Sequence, residues 1–404
     1  MEKCVITGAV RTAVGSYRGS LKTVPAYQLG ALVIEEAVKR GGIEKSDVEH
    51  VVMGDVLSKT PNLARVSALL AGLDKEIPAF SVDRQCGSAL QALVSGTQLV
   101  QTGDAKVVIA GGAENMSRAP YFMPPSIRYE GVRMNAFEVT DAFQYASSHA
   151  HPVEQYPNLN MGLTAENVAE KYGITREMQD AFSYDSQMKA TAAINEGRFD
   201  DEILPVEVKL RKSSFVFDTD EYVRPDTTLE KLAKLKPAFK QGGTVTAGNA
   251  SGMNDGASAV VLMAQSEAKK RGIKPLVSIV SYAAAGIEPS LMGLGPVPAV
   301  RKALDRAGLN LEDIDLFELN EAFAAQAMGC LIELGMQPGT ELYKRVNVNG
   351  GAVALGHALG NSGTRILTTL IYEMKRRNVR YGLATLCIGG GQGIAAIVEN
   401  EDAR

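Results

Sequence analysis

Short apolar runs and longer amphipathic segments alternate toward both ends of the chain. Apolar runs typical of buried strands lie at residues 51–53, 107–110, 276–280 and 383–388. Segments that place their apolar residues on one side of a helix lie at residues 29–40, 90–101, 300–307 and 365–376. This alternation, with short turns between the segments, predicts α/β layers built on largely parallel sheets.

An internal repeat supports two similar halves. The segment 37–52 reads AVKRGGIEKSDVEHVV and the segment 303–318 reads ALDRAGLNLEDIDLFE, and the two align without a gap. Identical residues occupy four aligned positions: Ala37 and Ala303, Arg40 and Arg306, Gly42 and Gly308, and Asp47 and Asp313. Each copy is typical of a helix end, a glycine stop, an acidic turn and a strand. Any two α/β units share some of this pattern, but the gapless match favours duplication and one pseudo-symmetric body.

The middle of the chain has a different composition. Residues 118–245 contain a Pro- and Tyr-rich stretch, a polar stretch and a Lys-rich stretch at 229–240. One convincing helix is predicted there, with Thr175 as its N-cap and an end near Gly197. We interpret this region as an insertion between the halves, of the kind that often covers a site in α/β enzymes.

Composition and charge exclude several classes of protein. The 404 residues are 45% hydrophobic and 22% charged, which is ordinary for a globular protein of two or three domains. The 42 basic and 46 acidic side chains leave a net charge of −4, so nucleic acid is not expected as a partner. No apolar run approaches the roughly 18 residues of a membrane helix, and the N-terminus lacks the apolar core of a signal peptide. We expect a cytoplasmic protein with no membrane partner.

The cysteines do not form a scaffold. Cys4, Cys86, Cys330 and Cys387 include no C-x-x-C pair and no zinc-like spacing, so we expect neither a metal site nor disulfides. Such cysteine usage is typical of a reduced compartment.

Two residues at predicted strand-to-helix turns carry candidate chemistry. Cys86 lies just before an amphipathic helix, where the helix dipole favours a thiolate and free backbone N–H groups can hold an oxyanion. His357 lies in a turn crowded by glycines, which allows a close approach to a ligand. The alternatives are a small buried core cysteine and a structural histidine.

Two further turns carry candidate residues. Cys387 ends a predicted strand and precedes three glycines whose N–H groups can serve an oxyanion, although a buried strand cysteine gives the same pattern. Asn320 and Glu321 open a helix after a strand. Asn320 can orient a water or a histidine, and Glu321 can fix the orientation of a histidine, unless both only cap the helix. Two thiols and one imidazole in one crevice suit covalent acyl transfer with separate proton transfer.

These motifs resemble the thiolases over essentially the whole chain. The resemblance rests on RQCGSALQA around Cys86, GNASGMNDGA at 248–257, NEAFA at 320–324, GGAVALGHALGNSG at 350–363 and CIGGGQG at 387–393. It implies two βαβαβαββ-type halves in layered α/β/α/β/α packing, with a loop domain inserted in the first half. The implied division is 1–117 plus 246–271, then 118–245, then 272–404.

The resemblance also implies roles for five residues. Cys86 would be the acylated nucleophile, activated by His357, which would also bind a thioester oxygen. Cys387 would remove the α-proton of acetyl-CoA. Asn320 would hold a water in the first oxyanion hole, and the N–H groups of Cys86 and Gly389 would form the second. The implied reaction is the reversible condensation of two acetyl-CoA to acetoacetyl-CoA, or the thiolysis of a 3-ketoacyl-CoA.

Substrate and assembly follow from the same resemblance. The implied substrates are CoA and acyl-CoA, with no tightly bound cofactor, and the implied assembly is a homodimer or homotetramer. The positions that match substrate-binding residues of the family are Met161, Arg224, Phe239, Ala247, Ser251, Met292, Ala322 and Phe323. Asn160 departs from the family, because short-chain thiolases usually carry a histidine there that shapes the acetoacetyl pocket.

Two other functions compete with the thiolase reading. A β-ketoacyl synthase-like enzyme pairs its cysteine with two histidines, or with histidine and asparagine, whereas Cys387 occupies the base position here. A non-catalytic acyl-CoA-binding or lipid-transfer relative is expected to lack a reacting group. Here all four candidate side chains are present, namely Cys86, His357, Cys387 and Asn320.

Overall fold

The computed structural model describes residues 2–132, 134 and 137–403. Within these residues the helices are α1 Ala26–Arg40, α2 Leu63–Leu70, α3 Ser88–Thr102, α4 Ser126–Glu130, α5 Ala142–Ser148, α6 Met161–Tyr172, α7 Arg176–Asn195, α8 Leu229–Ala233, α9 Gln265–Arg271, α10 Pro296–Ala307, α11 Ala324–Glu333, α12 Ala352–Leu355 and α13 Ser362–Arg377. The strands are β1 Cys4–Thr12, β2 Gly15–Ser16, β3 His50–Gly54, β4 Ala79–Val82, β5 Val107–Asn115, β6 Tyr121–Phe122, β7 Thr140–Asp141, β8 Ile203–Leu204, β9 Val206–Lys209, β10 Ser214–Phe217, β11 Asn254–Ala264, β12 Val277–Gly286, β13 Leu316–Leu319, β14 Tyr381–Ile388 and β15 Gln392–Glu399. All eight segments predicted from periodicity occur, and most extend beyond the predicted bounds, although β12 begins at Val277 rather than at Leu276.

The main strands follow the order β13-β14-β15-β12-β1-β11-β5-β3-β4. β1 and β12 join the two halves of this order, through Val5 opposite Ser278 and Ile6 opposite Val277. The expectation of largely parallel pairing is wrong. The long pairings of β11 with β1 and β5, and of β15 with β12 and β14, are antiparallel. β14 and β15 form a tight hairpin, and a connection that short can join only antiparallel strands.

Three apolar cores hold five layers together, the middle core filling both sides of the central helix layer, and this confirms the predicted α/β/α/β/α packing. One core joins α1 and α2 to one face of the first half-sheet. The second lies between the half-sheets around α3 and α13, and the third joins α10 and α11 to the far face of the second half-sheet. Successive residues Ile109 and Ala110 of β5 enter different cores. Strands buried on both faces appear in the sequence as continuous apolar runs, which is why periodicity located them.

The internal repeat is visible in the backbone. Gly42 and Gly308 both end their helices with φ near +66°. The segments Lys45–Asp47 and Leu311–Asp313 then form matching 3-10 turns. In each copy a side chain before the turn and the aspartate at its end cap each other's backbone N–H groups. The strands β3 and β13 follow, each paired in parallel with a neighbour.

The segment 118–245 packs over one end of these layers. Its predicted helix is confirmed as α7, where Thr175 Oγ1 accepts the N–H of Met178 at 3.3 Å and Gly197 follows with φ of +67°. The sequence analysis did not locate α6, which Asn160 caps through Leu163 N at 3.0 Å. β11 follows this segment and lies between β1 and β5. The division of the chain into three parts stays a prediction.

None of the helices in the described residues is both long and apolar enough to cross a membrane. Those residues also contain no group of three or more His, Cys, Asp or Glu side chains placed to hold a metal ion.

Candidate active site

Cys86 lies in a tight turn between β4 and α3. Ser88 Oγ accepts Arg84 N at 2.8 Å and donates to the carbonyl of Gln85 at 2.6 Å, which fixes the turn. Gln85 has φ of +47°, and a Cβ on Gly87 would lie 2.5 Å from Ile388 Cδ1. A side chain at position 87 would therefore displace that of Ile388, and the turn presents Cys86 just before the first turn of α3.

Burial keeps the thiol of Cys86 protonated. It raises the pKa of Cys86 to about 11, although the backbone N–H groups of Gly389 and of Cys86 itself act in the opposite direction. The expectation that the helix dipole favours a thiolate at rest is therefore wrong, because desolvation outweighs it. Cys86 needs a neighbouring base.

His357 has the orientation and tautomer that a base needs. Its Nδ1 lies 2.6 Å from Ser362 Oγ, and the hydroxyl of Ser362 donates to the carbonyl of Ala358 at 2.9 Å. Since that hydroxyl has one hydrogen, Nδ1 is the donor to Ser362 and Nε2 carries the lone pair. Nε2 is buried and has no hydrogen-bond partner among the described residues.

The imidazole of His357 is neutral at physiological pH. Burial, and then the nearby guanidinium of Arg365, lower its pKa to about 3. Its backbone N–H donates to Asn254 Oδ1 at 2.9 Å. Gly356 precedes it with φ of +97°, and a Cβ there would meet the side chain of Asn254. The glycine and the asparagine together hold His357 in place.

Cys387 ends β14 beside Cys86. Burial, and then the nearby sulfurs of Cys86 and Cys330, raise the pKa of Cys387 well above its usual value. The turn that follows has Gly390 and Gly391 with φ of +84°. It brings the N–H of Gly389 to the sulfur of Cys86.

Asn320 is buried with both polar atoms of its amide unpartnered among the described residues. Its neighbour Glu321 does not contact His357. Glu321 accepts hydrogen bonds from Ser186 Oγ and Asn347 Nδ2, each at 2.7 Å, and from Val353 N at 3.2 Å. The idea that Glu321 orients the histidine is therefore wrong, and Ser362 performs that task.

The loop before β11 joins two of these turns. Ser251 N donates to the carbonyl of Ala322 at 3.0 Å, and Ala324 N donates to the carbonyl of Asn249 at 2.9 Å. Met253 pairs with His357 in an isolated parallel bridge. Distant motifs of the sequence thus meet around one cavity.

That cavity has a volume of about 360 Å³. The predicted residues that line it are Cys86, His357, Cys387, Met161, Phe239, Ala247, Ser251, Met292, Ala322 and Phe323. Asn320 and Gly389 lie in the turns next to this lining. Arg224 lies outside it, with its guanidinium 5.6 Å from the ring of Tyr222, which does line the cavity.

Sequence reasoning missed several residues of the site. The remaining side chains that line the cavity include Met116, Phe143, Ser147, Tyr222, Met253 and Leu359. Met253 and Asn254 lie within GNASGMNDGA, so that motif could have identified them as residues of the site. Phe143 and Ser147 belong to the short helix α5, for which the polar stretch gave no periodic signal.

Comparison with known proteins agrees with this geometry. The model of the thiolase N-terminal domain matches residues 4–266, and that of the thiolase C-terminal domain matches residues 273–400. The acetyl-CoA acetyltransferase of Pseudomonas aeruginosa is 52% identical, with 98% of each chain covered. That of Syntrophomonas wolfei is 49% identical with the same coverage.

Solved structures show the same fold. The acetyl-CoA acetyltransferase of Bacillus anthracis superposes with a TM-score of 0.94 at 44% identity, covering 99% of both chains. The human mitochondrial 3-ketoacyl-CoA thiolase in complex with CoA gives a TM-score of 0.91 at 42% identity, covering 99% of this chain and 98% of that chain. The chain belongs to the thiolase family of acyltransferases.

Proposed function

We propose that the cavity carries out reversible Claisen chemistry on acyl-CoA through an acyl group on Cys86. The observation that carries this proposal is the meeting of two thiols with one neutral imidazole whose Nε2 lone pair has no partner. A Claisen condensation needs an acyl carrier and a base for a weakly acidic α-proton. The thiol of Cys86 is the acyl carrier, and that of Cys387 is the base.

In the first half-reaction His357 Nε2 takes the proton of Cys86, and the sulfur attacks the thioester carbonyl. The N–H groups of Cys86 and Gly389 stabilise the oxyanion. The CoA sulfur leaves and takes a proton from Cys387. Cys86 is then an acyl thioester, His357 is protonated and Cys387 is a thiolate.

In the second half-reaction Cys387 takes the α-proton of acetyl-CoA. Because its pKa is high, its thiolate is a strong base. The protonated Nε2 of His357 and a water held by Asn320 stabilise the enolate oxygen. The enolate carbon attacks the acyl group, and Cys86 leaves and recovers its proton from His357. Thiolysis is the reverse sequence.

The lining of the cavity supports CoA as substrate rather than as a resident cofactor. Phe239 is 41% exposed and places the mouth of the cavity at the surface. We assign Met161, Phe239, Ala247, Ser251, Met292, Ala322 and Phe323 to the pantetheine arm and the acyl group, and Arg224 to the phosphates of the adenosine end. We also propose, from the family resemblance, that the protein is a homodimer or homotetramer and that it is located in the cytoplasm.

The test is thiolysis of acetoacetyl-CoA by free CoA, followed by the loss of its absorbance. The protein is expected to turn over acetoacetyl-CoA, Cys86→Ala to be inactive, and Cys4→Ala to stay active, since Cys4 is buried in the central core and does not line the cavity. Turnover that survives in Cys86→Ala would contradict the proposal. Decarboxylation of malonyl-CoA would point to the synthase alternative, which the thiol at Cys387 disfavours.

A further inference from the structure

Two apolar clusters meet at the reacting thiols. Cys387 packs with the cluster that contains Met292, Ala322 and Phe323. Cys86 packs against a different cluster, which contains Met116 and Leu359, and Phe143 and Met253 pack against the same cluster. Phe239 at the mouth of the cavity contacts Phe323, with ring centroids 5.9 Å apart. The mouth therefore lies beside the cluster that contains Cys387, whereas Phe143 packs with the cluster beside Cys86.

One face of α5 forms part of the wall beyond Cys86. Phe143 and Ser147, one helical turn apart, line the cavity, and Ala146 packs on the same cluster. Gln144 is exposed on another face of the helix. Residues four apart share a helix face, so Phe143 and Ser147 point to the same side of α5. A substitution on that face therefore changes the shape of the cavity wall.

α5 is tied to the segment that contains β6. Asp141 Oδ1 caps the helix by accepting Phe143 N at 2.8 Å, and Ala142 N donates to the carbonyl of Pro120 at 3.0 Å. The ring of Tyr145 meets that of Phe122 edge to face, with centroids 5.5 Å apart. These contacts hold the helix that carries Phe143 against the β6 segment.

Asn160 does not supply this wall. Its side chain caps α6 through Leu163 N, and Asn160 is absent from the cavity lining. The N–H of the next residue, Met161, donates to Ser147 Oγ at 3.4 Å. The C-terminal part of α5 therefore packs against the start of α6, next to Asn160.

We propose that α5 sets the length of the acyl chain that Cys86 carries, with Phe143 as the specificity-determining residue. The substrates are short, straight-chain, saturated acyl thioesters, whose terminal carbons lie against the ring of Phe143. Shortening that side chain opens room for further methylenes, and each one buried adds about fourfold to kcat/KM. This inference rests on the proposed function.

The experiment compares thiolysis of acetoacetyl-CoA and 3-ketooctanoyl-CoA by the full-length protein, Phe143→Ala and the matched control Gln144→Ala. The ratio of kcat/KM for the longer substrate over the shorter is expected to rise at least ~10-fold in Phe143→Ala and to stay within twofold in Gln144→Ala. Phe143→Leu serves if the alanine variant does not fold, with a smaller rise expected.

A second readout is independent of turnover. Intact-mass measurement after incubation with hexanoyl-CoA is expected to show more acyl-Cys86 in the Phe143 variant than in the unmodified protein. An unchanged ratio and unchanged acylation, in variants that still cleave acetoacetyl-CoA, would overturn the role of Phe143 and leave the thiolase chemistry intact. Absence of Cys86-dependent turnover in the unmodified protein would overturn the proposed function instead.

Discussion

In the proposed reaction, the protonation state and orientation of His357 decide whether Cys86 can react. The thiol is neutral because it is buried, and the imidazole is neutral for the same reason. For proton transfer from the thiol of Cys86 to the imidazole of His357, the two groups must first lie in hydrogen-bonding geometry, and only then does the match of their pKa values matter. The bond from His357 Nδ1 to Ser362 supplies that alignment, and it also fixes the tautomer.

Removing the hydroxyl at Ser362 tests this positioning role. In Ser362→Ala the imidazole loses its acceptor at Nδ1 and can adopt the wrong tautomer, so kcat/KM for thiolysis is expected to fall on the order of 10-fold or more. Ser362→Thr keeps the hydroxyl and is expected to recover most of the activity. Equal losses in both variants would show that Ser362 only packs.

The sequence located the residues that we propose to react, but not all of their partners. Cys86, His357 and Cys387 stood out because each lies at a turn next to a strand or helix with a clear apolar pattern. Ser362 and Asn254 lie within motifs that the sequence analysis quoted, but their side-chain contacts with His357 depend on how the chain folds around it, which no local pattern describes. The same holds for Glu321, whose partners Ser186 and Asn347 lie far away in the sequence.

At the scale of elements, periodicity succeeded where a segment is buried on a regular face and failed where it is not. α1, α3 and α13 carry long apolar faces and were predicted. α5 has only seven residues, of which Ala142 alone is fully buried, so periodicity gave no signal, and its contacts with Pro120 and Phe122 come from outside the helix. The antiparallel direction of β11 could not be predicted either. It depends on the path of residues 118–245, which connect β5 to β11.

The N-cap of α7 gives a prediction at this scale. Thr175→Ala removes the acceptor for Met178 N, and the free energy of unfolding is expected to fall by about 1 kcal/mol. Urea unfolding measures the change, and thiolysis is expected to persist, since Thr175 does not line the cavity. Thr175→Ser keeps the cap and is the control. A loss of the same size in both variants would argue against capping.

At the scale of the molecule, a buried ion cluster joins the parts of the chain. Arg11 of β1 binds Glu202 at 2.6 Å and both oxygens of Asp220 at 2.8 and 2.9 Å. Thr369 of α13 donates to the same oxygen of Glu202 at 2.9 Å. The first half, the segment 118–245 and the second half therefore share one polar contact. Arg11 and Glu202 are 191 residues apart and Arg11 and Asp220 are 209 apart, so no local sequence pattern predicted the cluster.

Breaking this cluster is expected to destabilise the whole fold. Arg11→Ala leaves two buried carboxylates without their cation, which costs about 3–5 kcal/mol in the free energy of unfolding. Lys344→Ala, which removes the exposed partner of Glu341, is the control and is expected to change it by less than about 0.5 kcal/mol. Similar urea midpoints for the two variants would contradict the role of the cluster.

The central claim is that Cys86 carries the acyl group, and the most direct measurement is the mass of the protein after brief incubation with acetyl-CoA. The account predicts the gain of one acetyl group, mapped to the peptide that contains Cys86, and its loss on addition of free CoA. Cys86→Ala is expected to gain nothing, and Cys4→Ala to behave like the unmodified protein. An acetyl group on Cys387, or none on either thiol, would contradict the account.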